Sequence, residues 1–106
     1  MEKINLEEVS MFIISSAGIA KSNAILAIKA AKKLEFEKAE ELLKIAEQEM
    51  INAHHAHFEV VSREATGKQL DFKLLFVHAE DQFLTTQAMI DLSKEMIEMY
   101  KIVHKK

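Results

Sequence analysis

The stretch "FVHAEDQFLTT", residues 76–86, holds a histidine and an aspartate three positions apart among apolar and hydroxyl side chains. At 100° per residue on a helix, His78 shares a face with Leu74, Leu75, Gln82 and Thr85, and Asp81 lies on the adjoining edge. A neutral imidazole is a competent nucleophile near its unperturbed pKa of about 6.5. A carboxylate among apolar neighbours needs a cation, a hydrogen-bond donor or a raised pKa. The pair therefore suits metal binding, general-base chemistry or phosphoryl acceptance, and it is also compatible with a plain surface contact. Spacing alone does not choose. A second candidate is "NAHHAH", residues 52–57, where His54 and His57 share a face at i, i+3. Two imidazoles make a weak transition-metal site, and the Glu-x-x-His spacing of di-iron bundles is absent from the chain. His55 and His104 read as solvated, and the six methionines as packing residues.

Composition removes several function classes. With no cysteine there is no disulfide framework, thiolate metal site or cysteine nucleophile. A formal charge of -3 disfavours nucleic acid, which needs a clustered basic surface. Only "KIVHKK" at the end is locally basic, and a cationic helix C-terminus follows from the macrodipole. "MEKINLEEVS" does not read as a signal peptide, and no run approaches about 18 consecutive apolar residues, so the expectation is a cytoplasmic protein without a membrane span.

The elements that would position these residues are helices. The chain has no proline and two glycines, Gly18 and Gly67, and is rich in Ala, Leu, Glu and Lys. Asn5 with Glu8 forms a capping-box pattern, and Ile4 and Val9 are placed as a hydrophobic staple. A first helix is expected from about Leu6 to Lys33, with Val9, Ile13, Ala17, Ala20, Ala24, Ile28 and Ala31 at helical period. The break near "KLEFEKA" is marked only by a stripe restarting at Phe36, Ala39, Leu43 and Ala46. The second helix should run to about Thr66, with Gly67 left-handed at its C-terminus. "GKQLD" is the clearest loop, Asp71 is the expected N-cap, and the third helix should reach about His104.

Three such helices form a single all-α domain over residues 1–106, an up-down-up three-helix bundle. The third helix, however, carries two stripes. Phe72, Leu75, Phe76, Ala79, Phe83 and Ile90 form one, and Val77, Leu84, Ala88 and Leu92 the other, with Asp81 inside the second. A three-helix monomer uses about one stripe per helix, so the second implies a partner surface, most simply a homo-oligomer.

"HAEDQFLTT" resembles the active-site segment of the lactose/cellobiose-type enzyme IIA proteins of the sugar phosphotransferase system. "SAGIAKS", "NAHHAHFEVVSREATG" and "DLSKEMIEMYK" extend the resemblance over essentially the whole chain. The resemblance implies that His78 is transiently phosphorylated, taking the group from the phosphohistidine carrier protein HPr and passing it to a cysteine of enzyme IIB. It implies that Asp81 binds a divalent metal ion, with Mg2+ the expected one, at the axis of a parallel homotrimer. Gln82 and Thr85 become candidates to hydrogen-bond the ring or a phosphoryl oxygen, and His54 a supporting residue near His78. Leu74, Phe76 and Phe83 are candidates for a docking rim or for core. Sugar choice would belong to the membrane IIC component, leaving lactose, cellobiose, chitobiose and similar disaccharides open. The chain departs from the family pattern at Gln82, commonly histidine, and Glu80, often glutamine. Glu80 would bring negative charge toward a phosphoryl group unless it points away. The competing readings are a non-catalytic adaptor bundle and a histidine-phosphotransfer signalling domain. The second is disfavoured because its usual His-x-x-Lys-Gly segment is missing.

Overall fold

The structure, a computed structural model, describes residues 4–67, 70 and 72–105. Three helices take up nearly all of them, α1 (Leu6–Lys32), α2 (Phe36–Ala65) and α3 (Leu74–Lys105). No strand occurs among the described residues. Joined by short connections, the helices run up, down and up in a rod of 56 × 22 × 19 Å. The expected fold class is the observed one.

Local sequence sets the helix ends. The Asn5 side chain accepts the Glu8 backbone N–H at 3.1 Å, and Ile4 and Val9 pack half-buried against the core beside it. The α1–α2 turn is less conventional. The Leu34 N–H donates to the Ala31 carbonyl and the Glu35 N–H to the Ala30 carbonyl, each at 2.9 Å. This is the Schellman pattern, and its left-handed position is held by Leu34 at φ 67° rather than by glycine. Gly67, at φ 90°, performs the same service after α2. At α3 the Lys73 carbonyl accepts the Val77 N–H at 3.2 Å. The expected Asp71 cap lies outside the described residues. Phe72 is a correction: it is 82% exposed, because it precedes the helix and has no place in its periodicity.

Packing centres on α1, which lies against both other helices along its length, while α2 and α3 meet less extensively. The buried face of α1 is Ile13 followed by Ala17, Ala20, Ala24, Ala27, Ala30 and Ala31. Ala39, Ala46, Ala53 and Ala79 face it from the other helices. Ser10 and Ser93 are also fully buried, which hydropathy alone did not indicate. Their hydroxyls donate to their own helices, to the Leu6 carbonyl at 2.6 Å and the Met89 carbonyl at 2.7 Å. A satisfied small hydroxyl passes in an apolar seam.

Ion pairs from Lys94 to Glu47 at 2.8 Å and from Lys101 to Glu40 at 2.7 Å join α3 to α2. The hydrogen bond to each glutamate raises the pKa of its lysine, but the pairs are solvated and contribute little to stability. No run of about 18 consecutive apolar residues occurs in α1, yet the helix as a whole is apolar. By length and composition it is apolar enough to span a membrane, with Lys21 the only charge between Glu8 and Lys29. In this fold it is the helix on which the other two pack.

Leu34 supplies a test of the turn. A non-glycine residue in the left-handed region costs roughly 1–2 kcal/mol, partly offset here by the greater unfolded-chain entropy of glycine. Leu34→Gly should leave stability unchanged or raise it by up to about 1 kcal/mol, and the β-branched Leu34→Val should lower it by about 1 kcal/mol or more. Urea unfolding at fixed protein concentration measures both. A clear loss in the glycine variant would show that the leucine side chain, not the turn, matters there.

Candidate active site on the third helix

The face of α3 opposite the core carries the predicted chemistry. Phe76, Ala79, Phe83, Thr86, Ile90, Ser93 and Ile97 point inward. His78 and Asp81 are therefore turned out, and both are exposed. With Leu74, Leu75 and Val77 they line a shallow, open concavity near the N-terminal end of the helix. All of its lining residues belong to α3, so in the single chain it has one wall.

The supporting residues differ in what they offer. Gln82, one turn beyond His78, is half-buried and is a candidate hydrogen-bond donor. The Thr85 hydroxyl donates to the Asp81 carbonyl at 2.8 Å. Its proton is thus committed to the helix backbone, and in this rotamer Thr85 has no donor for an anionic oxygen. Phe76 and Phe83 are core residues, whereas Leu74 is 74% exposed and remains at the rim.

Asp81 sits as expected among Val77, Leu84, Ala88 and Leu92, all exposed in the single chain. No hydrogen bond or ion pair of its side chain is seen among the described residues. Its carboxylate is a hard oxygen donor of the kind Mg2+ takes. Among the described residues of one chain there is no group of three or more His, Asp or Glu side chains placed to hold a metal. One chain therefore offers a single carboxylate, and a metal here would need the same residue from further copies.

The second histidine cluster faces elsewhere. The His57 ring lies parallel to Phe83 at 5.0 Å and to Phe76 at 6.2 Å, and its Nε2 is 3.3 Å from a Glu80 carboxylate oxygen. His54 stacks on Phe83 at 6.1 Å and on Phe58 at 6.3 Å. These contacts are on the α2 side of α3, away from the outward face of His78. The ring contacts of His54 are to His55, Phe58 and Phe83. The Glu80 carboxylate is directed to His57 on α2. The sequence signal that could have found the His57–Glu80 pair was an acid at a position where the family often has glutamine, with an imidazole on the preceding helix.

The chain is similar to known proteins over nearly its whole length. The family model described as "PTS system, Lactose/Cellobiose specific IIA subunit" matches residues 8–101. The lactose-specific EIIA component of Staphylococcus epidermidis is 37% identical over 101 residues, covering 92% of this chain and 97% of that protein. The crystal structure of the cellobiose-specific enzyme IIA from Bacillus anthracis superposes with a TM-score of 0.92 at 28% identity, covering 99% of this chain and 96% of that one. An enzyme IIA for N,N'-diacetylchitobiose, solved in solution as a complex with HPr, superposes with a TM-score of 0.83 at 26% identity, covering 96% and 99% respectively.

Phe83 links the helix that carries His78 to the histidines of α2, and this can be measured. Phe83→Ala should cost about 3–5 kcal/mol, a large share of the 5–15 kcal/mol typical of a domain, while Phe83→Leu should cost under about 1.5 kcal/mol. Urea denaturation at one protein concentration is the readout. A loss below about 1 kcal/mol for the alanine variant would mean that the ring stack does little to hold α3.

Proposed function

The chain belongs to the lactose/cellobiose-specific enzyme IIA family of the sugar phosphotransferase system, and from that premise we propose that His78 carries the phosphoryl group. The observation that supports this most is the exposure of its imidazole in a concavity on the helix whose inner face is core. An unprotonated ring nitrogen of His78 attacks the phosphorus held on the histidine of phospho-HPr. The old P–N bond breaks and its electron pair returns to the donor ring. In the second transfer the thiolate of a cysteine on enzyme IIB attacks the same phosphorus, and the pair returns to His78. The transition state is loose and charge-spread, so the protein's work is positioning and electrostatics. Gln82 serves as a donor to the transferring group, and Leu74 and Val77 supply apolar rim for the docking proteins. The complex of HPr with the chitobiose-specific relative supports HPr as donor. The reaction belongs in the cytoplasm, with the sugar selected by a membrane IIC component. Lactose, cellobiose and diacetylchitobiose are the sugars named for the three relatives compared, which supports a β-linked disaccharide as the substrate class.

The working form is a parallel homotrimer in which the Val77–Leu84–Ala88–Leu92 stripes meet on an axis. The exposure of that stripe and the single-walled concavity both support it. Asp81 then contributes one carboxylate per subunit to a divalent cation, Mg2+ by preference, and the cation's charge offsets the mutual repulsion of the carboxylates. The role is structural and lies off the phosphoryl path. An adaptor bundle in which His78 is incidental would also be helical, and labelling separates the two.

His78→Ala should fold as the wild type does, because the ring is exposed, yet accept no phosphoryl group from phospho-HPr. The wild type should take one group per chain in an acid-labile, base-stable linkage. Labelling of the variant at wild-type stoichiometry would move the site elsewhere. Sedimentation equilibrium should give a trimer, and EDTA at neutral pH should lower its melting temperature or dissociate it. Mild acid should weaken the metal site, since a cation prefers the ionised carboxylate. Asp81→Leu should remain trimeric and lose the response to EDTA. A wild-type trimer indifferent to EDTA would remove the axial metal and leave His78 untouched.

A further inference from the structure

We propose that His57 and Glu80 are a positioning pair that fixes the rotation of α3 about its axis, and with it the direction in which His78 points; this rests on the phosphocarrier reading above. Three observations carry it. Glu80 is two residues from His78 on the same helix, and its carboxylate oxygen lies 3.3 Å from Nε2 of His57 on α2. The His57 ring stacks on Phe83 at 5.0 Å and on Phe76 at 6.2 Å, residues that flank His78 on the same helix. Finally, the ion pairs at Lys94 and Lys101 tie α3 to α2 farther along the helix from the site.

The chemistry of the position makes the polar choice informative. A ring packed against two phenylalanines, with its side chain 18% exposed, occupies a place that an apolar residue would fill at no desolvation cost. An imidazole there needs a partner, and Glu80 supplies an acceptor for its N–H. Apolar contacts between helices tolerate rotation, because they are non-directional. A hydrogen bond from a stacked ring does not, since its geometry is met over a narrow range of helix rotation. Polar pairs of this kind can set register at some expense in stability. A rotation of α3 by a small angle would leave much of the alanine seam intact, yet swing the exposed His78 ring and misalign its nitrogen from phosphorus. His57 is thus a positioning residue acting through Glu80 and α3, and it touches no reacting atom.

The test compares His57→Leu, His57→Gln and Glu80→Met in the full-length chain. His57→Leu should keep its melting temperature or raise it, because leucine suits the apolar surroundings of the two rings. Its rate of phosphoryl transfer at saturating phospho-HPr should fall about tenfold, with the half-saturating concentration of phospho-HPr unchanged. His57→Gln, whose amide can still donate to Glu80, should recover most of the rate. Glu80→Met, at a half-exposed site that tolerates substitution, should repeat the kinetic loss should His57→Leu not fold. Wild-type transfer rates in a folded apolar variant would overturn the proposal. A second arm does not depend on phosphoryl transfer: the rate at which diethylpyrocarbonate modifies His78, followed by mass spectrometry. That rate should change in His57→Leu and stay at the wild-type value in His57→Gln. Should the wild type take no phosphoryl group, the phosphocarrier reading fails and this arm alone decides. Unchanged His78 reactivity then overturns the pair, and altered reactivity upholds it.

Discussion

A seam of alanine governs this structure. Where α1 meets its neighbours, the buried positions are mainly alanine, with serine at two of the fully buried points. Short side chains let helix backbones approach closely along a rod of 56 Å, but each buries little apolar area. The stability gained per turn is accordingly modest. The heavier apolar contacts, from Ile13, Met50, Phe76, Phe83, Ile90 and Ile97, are spaced along the seam rather than gathered in one thick core.

That thinness shapes the outer surface. Many of the large apolar residues are left outside, including Met11, Phe12, Ile19 and Leu26 on α1 and Val77, Leu84, Leu92 and Met99 on α3. A solvated monomer gains nothing from such faces, and apolar surface of this extent is what the proposed trimer would draw on. The charge-poor face of α1 that resembles a membrane span by composition has the same origin. It combines an alanine seam on one side with uncovered apolar residues on the other.

Helix α3 shows how one element can serve several demands at once. Its inner face is core, the side toward α2 carries Glu80, Lys94 and Lys101 in paired contacts, and the outward face presents His78 and Asp81. The proposed chemistry would depend on keeping these sectors in phase. In a single chain the candidate site is an exposed ring beside an open concavity, so on the proposed reading the rotational placement of α3 bears on it more than the shape of a pocket.

Much of this was legible in the residues. The scarcity of glycine and proline and the period of the apolar positions determined three helices and their approximate ends. The His78 segment pointed to the family through its resemblance, because its residue order is distinctive over a short span, and the family model matches residues 8–101. The doubled stripe of α3 indicated an outward apolar face, since periodicity on a helix is a statement about direction. Other features lay beyond one-dimensional pattern. Leu34 in a left-handed turn could not be read, because propensity favours glycine there and only the packing of α1 against α2 fixes the backbone. Ser10 and Ser93 were missed because hydropathy does not register that a hydroxyl can be satisfied by its own helix. The partnership of His57 with Glu80, and the stacking of His54 on Phe83, required the relative rotation of two helices. The sequence determined which side chains each helix presents at each angle; tertiary packing alone decided which angles of α2 and α3 face one another.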